Sequence, residues 1–482
     1  MKKYLFIILL FVFAIQESFA KLIIPKIIGS NMVLQQGEPV AVWGWANPGE
    51  TILVKFQNQV KKVICDDGGN WKVMLSPMKA SISPEQMEIN ARAESIKLNN
   101  ILVGEVWLCS GQSNMEFAMR KISKLSPPPG TDWPVDELEK ANNSQIRIFL
   151  VERKKMQPDS AHSGWAVAQG DALRNFSAVG YFFAKELQKR LGVPVGIISA
   201  AIPGSRIEPW MPAEAIKMQA FFKMNKNSPV GKIDGDPGKF YNSMIVPLIP
   251  YTLKGVLWYQ GESNCFLNER IQYSYKMKSL IDFWRGQWRN PKMPFYYVQI
   301  APYYYSKATD REYTVYSEPE FWEAQAAVLK LANTAMIATL DLNDDPNDLH
   351  PVNKWDIGKR LANAALIKTY HKGNGVPMGV IFKRIMRRGN SLVLEFKYSD
   401  GGLVSKGNKA LKGFEIENDS GVFTEAKAVI KNNKIWLSSK GIKNPKTVRY
   451  AWREDAPATL FNKQGLPALP FRTSGSVIKE FK

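Results

Sequence analysis

Residues 101–114 read ILVGEVWLCSGQSN, and residues 255–264 read GVLWYQGESN. Each is a short, almost wholly apolar run that leads into a Gly-x-Ser-Asn turn. Such a run, bounded by a turn signal, is the pattern of a strand covered on both faces. Where these strands alternate with amphipathic helices the product is an α/β sheet, and ligands settle beyond its strand carboxyl ends. Two serines, Ser113 and Ser263, therefore stand where an α/β fold presents its chemistry. A nucleophilic serine needs a base, and the chain has only three histidines to supply one.

The alternation extends on both sides of these turns. Val179, Phe182, Phe183 and Leu187 share one helical face, with Ser177 as N-cap and Gly192/Pro194 as the stop. A strand over 195–200 follows directly. Met277, Leu280, Ile281 and Trp284 repeat the helical spacing, strands are expected at 295–300 and 335–340, and a last helix carries Ile357, Leu361, Ala364 and Ala365. The region 99–372 thus predicts a mainly parallel, doubly covered sheet. The Pro- and Gly-rich stretches 126–135 and 225–240 are expected to be rim loops around the strand ends. Residues 21–98 read as all-β, with runs at 40–45 (VAVWGW), 51–56 (TILVKF) and 71–75 (WKVML) between Asn-Pro-Gly and Asp-Asp-Gly-Gly turns, which suggests a small sandwich. The β pattern returns over 373–482, at 391–396, 435–437 and 447–452. The expected order is β, α/β, β.

Residues 1–20 stand apart. Lys2 and Lys3 precede an apolar run over 4–15, and Ser18-Phe19-Ala20 supplies small residues, as in a secretory signal peptide. The run is short for a membrane span. The mature chain is expected to start near Lys21 and to work outside the cytoplasm, periplasmic or secreted, with no membrane span once the signal is gone. Three cysteines, Cys65, Cys109 and Cys265, make no disulfide framework. Cys109 and Cys265 flank the two serine turns; buried free thiols are one reading and a pair the other. The formal charge of +20 comes largely from lysines scattered over all regions; it reads as a solvated basic surface, the alternative being a summed field that attracts acidic glycans or anionic sugars. Without a recognisable nucleic-acid module, and with an export signal, nucleic acid is not an expected partner.

Acyl transfer requires a serine, a base, a group that orients the base, and donors aimed at the oxyanion. The Ser113 turn is no Gly-x-Ser-x-Gly elbow, because Met115 takes the place of the second glycine. Among the histidines, His350 is best placed. It lies in Asn347-Asp348-Leu349-His350-Pro351, after the last α/β strand, with Asp344, Asp345 and Asp348 nearby. His162 falls in a loop, and His371 lies past the last helix. The turn Pro203-Gly204-Ser205-Arg206 reaches the same edge, so the Gly204 N–H is either an oxyanion donor beside that of Ser113 or simply starts a helix. At the second serine turn, Gln260 and Asn264 offer amides to an oxyanion. Glu262 is suited to pair with a ligand or to orient its neighbours. Ser263 ranks below Ser113 because polar and acidic groups crowd it.

Together these residues resemble the SGNH (GDSL-like) hydrolases, and within them the sialate O-acetylesterase family. The resemblance rests on VWLCSGQSNM (106–115), YNSMIVPLIPYTLKGVLWYQGESN (241–264) and DLHPVNK (348–354), with MVLQQGEPVAVWGWANPGE (32–50) and the stretch 449–472 in the flanking parts. It implies a three-layer, flavodoxin-like parallel-sheet core flanked by N- and C-terminal β-sandwich-like domains. It also implies Ser113 as nucleophile, Gly204 as oxyanion donor and His350 as general base. The chain departs from the wider pattern twice. Asn347 stands where the orienting Asp is expected, which leaves Asp348, or alternatively Glu262, for that task. Gln260-Gly261-Glu262 replaces the Gly-x-Asn-Asp block, which moves the oxyanion amide to Gln260 or Asn264. The implied activity is a serine carbohydrate O-acetylesterase acting on sialic acids, with no metal and no cofactor. Arg206 is then placed to pair with a sialic acid carboxylate, and Trp107, Trp210 and Trp258 to wall the acyl pocket. A xylan- or pectin-type polysaccharide acetylesterase, or a catalytically idle carbohydrate-binding protein, are the alternatives.

Overall fold

One long strand, Ser95–Gly111, organises the molecule. In the computed structural model, which describes residues 21–157, 164–308 and 312–481, its first part pairs antiparallel with Ser81–Asn90 and parallel with Val33–Gln35. Its last part pairs in parallel with Val195–Ala201 on one side and Gly255–Tyr259 on the other. The parallel path runs Thr334–Ile337, Phe295–Val298, Gly255–Tyr259, Ser95–Gly111, Val195–Ala201, Ile146–Leu150, and Trp165–Val167 closes it antiparallel. The 11-stranded sheet is therefore mixed: parallel through most of the region of strand-helix alternation, with Trp165–Val167 antiparallel at its edge, and mainly antiparallel among the N-terminal strands, of which Val33–Gln35 joins in parallel. Position 98, where the sequence suggested a boundary, falls inside the organising strand.

The apolar runs are continuous because both faces are covered. Trp107, Cys109, Ile197 and Leu257 pack under the helices Ala178–Leu191 and Lys354–Lys368, whereas Val106, Leu108, Ile198 and Trp258 meet Tyr273, Met277, Leu280 and Trp284 of the helix Ile271–Gln287. Ser177 caps its helix as expected, its Oγ accepting from the Gly180 N–H at 3.1 Å, and Gly192 ends it at φ 71°. A left-handed residue there suits glycine. Cys65, Cys109 and Cys265 are all buried and free, and burial pushes the Cys109 thiol up to about 12.

Flanking the sheet, Val40–Trp45 pairs with Asn70–Leu75 as a two-stranded unit. The C-terminal region forms two four-stranded sheets, one from Ile381–Arg388, Ser391–Lys397, Lys434–Ser438 and Lys427–Lys431, the other from Phe423–Glu425, Phe414–Glu417, Val448–Tyr450 and Phe471–Arg472. The signal-like segment 1–20 and His162 lie outside the described residues. Among the described residues no helix is long and apolar enough to cross a membrane.

Candidate active site

The organising strand ends at Gly111, whose φ is +139° and where a Cβ would sit 2.1 Å from the Tyr259 carbonyl oxygen. Only glycine allows that approach, and it lets the chain turn at once into the short helix Ser113–Glu116. Ser113 is the first residue of that helix, and its backbone N–H has no partner among the described residues. The same is true of the exposed Gly204 N–H, at φ +68°. Two bonds tie the 202–205 turn to the end of the serine strand: the Ile202 N–H donates to the Gly111 carbonyl at 3.0 Å, and the Ser205 hydroxyl to the same oxygen at 3.4 Å.

The structure brings His350 to Ser113. Its Nε2 lies 2.8 Å from the serine Oγ, within hydrogen-bond distance and across 237 residues of chain. Burial holds the imidazole below its ordinary range, Lys354 adds to this, and Asp348 opposes it. A neutral imidazole is the form that takes a proton, so this setting keeps the base available into mildly acidic solution.

Asp348 is close but not bonded to the ring. Its Oδ1 accepts the backbone N–H of His350 at 2.8 Å and stands 3.8 Å from Nδ1, beyond hydrogen-bond range. It therefore shapes the loop and acts on the imidazole through its charge. Asn347 turns elsewhere: its amide donates to Asp345 at 2.8 Å and its oxygen accepts from Lys307 at 3.0 Å. We expect Asp348→Asn to lower kcat by only about tenfold, far short of the ~10⁴-fold loss when a ring-bonded triad carboxylate is removed. Its charge raises the imidazole, so the acid limb of kcat/KM should move to lower pH. A pH-rate profile on 4-nitrophenyl acetate checks both; a limb that moves upward contradicts the electrostatic role.

Behind this pair lies a buried network of which the sequence pointed to Glu262 but not to Lys354 or Asn114. Lys354, 0 % exposed, donates to Asn114 Oδ1 at 2.7 Å and to the Pro351 carbonyl at 2.5 Å. The Asn114 amide donates to Glu262 Oε1 and to the Leu349 carbonyl at 3.0 Å. Three separate segments are thereby pinned to one another: the serine helix, the second turn and the histidine loop. Burial pushes Lys354 down to about 7 and raises Glu262. The signal for Asn114 was the repeated Gly-x-Ser-Asn itself, and Lys354 closed the DLHPVNK motif. Lys354→Met removes a charge that depresses His350, so the acid limb should shift to higher pH, with kcat falling by about tenfold or more as Asn114 loses its partner. An unshifted limb argues against the coupling.

The second turn supports rather than faces the site. Glu262 is 1 % exposed and bonded to Asn114, so it orients a neighbour, one of the roles read from sequence, and is enclosed rather than open to a ligand. The Asn264 amide donates to Glu208 at 3.2 Å and Glu269 at 3.1 Å, while its oxygen accepts from the Ile207 N–H at 3.0 Å. The Gln260 amide is spent on Asn264 at 2.7 Å, Gln112 at 3.2 Å and the Ser205 carbonyl at 3.2 Å. With both amides committed internally, their expected place at the oxyanion is taken by structural bonds. The Gln112 Nε2, one residue before the serine, has no acceptor among the described residues. Lys276 binds Glu208 and Glu269 at 2.6 Å each, so a buried cluster braces the segment that follows the Gly204 turn.

Arg206, two residues past Gly204, pairs with Asp234 at 2.7 Å, which fastens the 225–240 loop to that turn. The 126–135 loop contributes Trp133, 5.5 Å from Trp355. Trp107, Trp210 and Trp258 are each 0 % exposed. They are core: Trp258 packs edge-on against Trp210 and Trp284 at 5.9 Å, and Trp107 against Phe183 at 5.2 Å, so none walls an open acyl pocket.

A family model described as "Carbohydrate esterase, sialic acid-specific acetylesterase" matches residues 103–367. The chain is similar to a crystal structure of a novel carbohydrate acetylesterase from Xanthomonas citri, with 33 % identity, a TM-score of 0.82, and coverage of 94 % of this chain and 100 % of that one. It is 29 % identical to the sialate O-acetylesterase of Homo sapiens over 427 residues, 81 % of this chain and 78 % of the human one. It is likewise 29 % identical to that of Rattus norvegicus over 454 residues, 81 % of each.

Proposed function

Because the chain belongs to the sialic acid-specific acetylesterase family of carbohydrate esterases, we infer that it removes O-acetyl groups from sugars, with Ser113 as nucleophile and His350 as general base. The observation that carries this reading is the 2.8 Å contact between Ser113 Oγ and His350 Nε2 at the carboxyl edge of the parallel strands.

In this mechanism the imidazole takes the Ser113 proton as Oγ attacks the acetyl carbonyl carbon. The negative charge that develops on the carbonyl oxygen is met by the unpartnered N–H groups of Ser113 and Gly204, with the Gln112 amide as a third donor. Each well-placed donor of this kind contributes about 10²–10³ in rate. The protonated imidazole then gives its proton to the departing sugar oxygen, leaving acetyl-serine. Water, deprotonated by His350, attacks that ester and releases acetate and free serine. Asp348 stabilises the imidazolium through space in both steps, and Lys354, Asn114 and Glu262 hold the two reacting loops in register. A flavodoxin-like core carrying two flanking β units fits this placement of the chemistry.

Sialic acid esters are the substrates we favour, because the family description names them and Arg206 carries a guanidinium two residues past Gly204. Acetate release should be compared on O-acetylated sialic acid and on acetylated xylan. Faster turnover of the sialic acid ester supports the assignment, and release from xylan alone rejects it.

A further inference from the structure

The strand Val40–Trp45 and its partner Asn70–Leu75 run in the register Ala41↔Met74, Trp43↔Lys72 and Trp45↔Asn70. Side chains alternate along a strand, so these six share one face and their neighbours share the other. The other face is core, with Val42, Trp71, Val73 and Leu75 all buried. The first face carries Trp43 and Trp45 two residues apart, with Trp45 36 % and Met74 45 % exposed. It forms one wall of a cleft of about 1110 Å³, whose opposite wall comes from residues 249–253 and 286–290. On that wall the Trp288 indole is fixed by donating to the Tyr251 carbonyl at 2.9 Å.

This cleft is not the esterase site. Residues 249–253 lead into Gly255–Tyr259 and residues 286–290 precede Phe295–Val298, so the cleft lies at the amino edge of the parallel strands. Ser113 lies beyond their carboxyl edge, with roughly 17 Å of strand between. None of the cleft's aromatic groups enters the mechanism above.

Its chemistry matches a sugar chain. Residues two apart on a strand are spaced by about 6.8 Å, so Trp43 and Trp45 offer adjacent apolar plates on which successive sugar rings can lay their C–H faces. Around them stand groups that bond hydroxyls. Asn70 spends its amide on Asp66 and keeps its carbonyl oxygen, and Lys72 on the same face and Asn290 on the facing wall bring N–H donors. The charges balance, with Glu38 and Asp66 against Lys72 and Arg289. An anionic ligand would gain from one pair and lose to the other; a neutral chain loses nothing.

We propose that this cleft binds the neutral stretch of a glycan whose acetylated sugars, sialic acid among them, are processed at the far edge of the sheet. The choice of a glycan rests on the carbohydrate-esterase reading. Binding is therefore read without turnover, by affinity electrophoresis of the full chain in gels containing deacetylated xylan, mannan or soluble cellulose, with polysialic acid as the charged arm. At least one neutral polymer should retard the wild type and Ser113→Ala equally. The Trp43→Ala/Trp45→Ala variant should bind at least tenfold more weakly, and Trp45→Phe should retain binding. Hydrolysis of 4-nitrophenyl acetate should be unchanged in both tryptophan variants, which shows that they are folded. Equal retardation of the double alanine variant, retardation by polysialic acid alone, or none by any neutral polymer would overturn the proposal. Absence of ester hydrolysis by the wild type would overturn the esterase reading alone.

Discussion

Ser113→Ala is expected to lower kcat on 4-nitrophenyl acetate by about 10⁴-fold or more, the scale on which a lone nucleophile substitution removes a cooperating catalytic pair. In the proposed mechanism the Ser113 oxygen bonds the acyl carbon, and among the described residues its hydroxyl is the one group within hydrogen-bond distance of His350 Nε2, at 2.8 Å. Residual rate should persist, because the N–H groups of Ser113 and Gly204 belong to the backbone and survive the change. The fold should survive as well: Ser113 is only partly buried, and among the described residues its side chain bonds nothing but the imidazole. Thermal unfolding within a few degrees of wild type, alongside the lost rate, is the expected pair of results. Ser263→Ala should leave kcat within a fewfold of wild type. If the two outcomes were exchanged, the roles of the two serine turns would be exchanged too.

The second large effect is on stability. Lys276 is buried between Glu208 and Glu269 at 2.6 Å from each, and Asn264 closes the cluster. Burial opposes the charge on Lys276, but the two carboxylates outweigh it and hold the ammonium above its ordinary range. Replacing it with methionine keeps the volume and leaves two carboxylates sharing one dry site. Removing one partner of a buried ion pair costs about 3–5 kcal/mol, and here two partners are abandoned at once. Urea denaturation should show a loss of that size. Because burial raises Glu269 and Lys276 is the charge that opposes this, Glu269 gains a proton more readily in the variant, so the deficit should shrink as pH falls toward 5 and grow as it rises. Cooperative unfolding at the wild-type midpoint would mean that the cluster contributes nothing. Ile207 hangs from the same Asn264, so the oxyanion turn should loosen before the core does.

How far the residues announced this arrangement depends on the range of the interaction. Apolar runs such as 255–259 are strands to the residue, because burial on both faces is written into consecutive side chains. The cap of the helix Ala178–Leu191 was equally local. The meeting of Ser113 and His350 was legible because each follows a strand end, and the topology gathers strand ends at one edge. The buried helix Ser317–Ala327 was missed: it carries glutamates and tryptophan on enclosed faces and so has no amphipathic period. The continuity of Ser95–Gly111 was hidden because its first half is polar on one side and pairs with distant strands. The internal bonds of Gln260 and Asn264 were not legible for a related reason. A turn sequence reveals that polar groups are needed, but whether they face substrate or one another is decided by partners such as Asn114 and Lys276, remote in sequence. Trp107, Trp210 and Trp258 show the same limit, since an aromatic next to a catalytic turn fits a core as well as a pocket.

The central claim is that Ser113 forms the bond to the acyl carbon. Its most direct test is covalent labelling with a fluorophosphonate, which traps an activated serine as a stable phosphonyl ester, followed by peptide mass spectrometry. The account predicts one adduct, on Ser113, formed in step with loss of activity and absent when His350 is replaced by alanine. An adduct on Ser263, or inactivation with Ser113 unmodified, would contradict it.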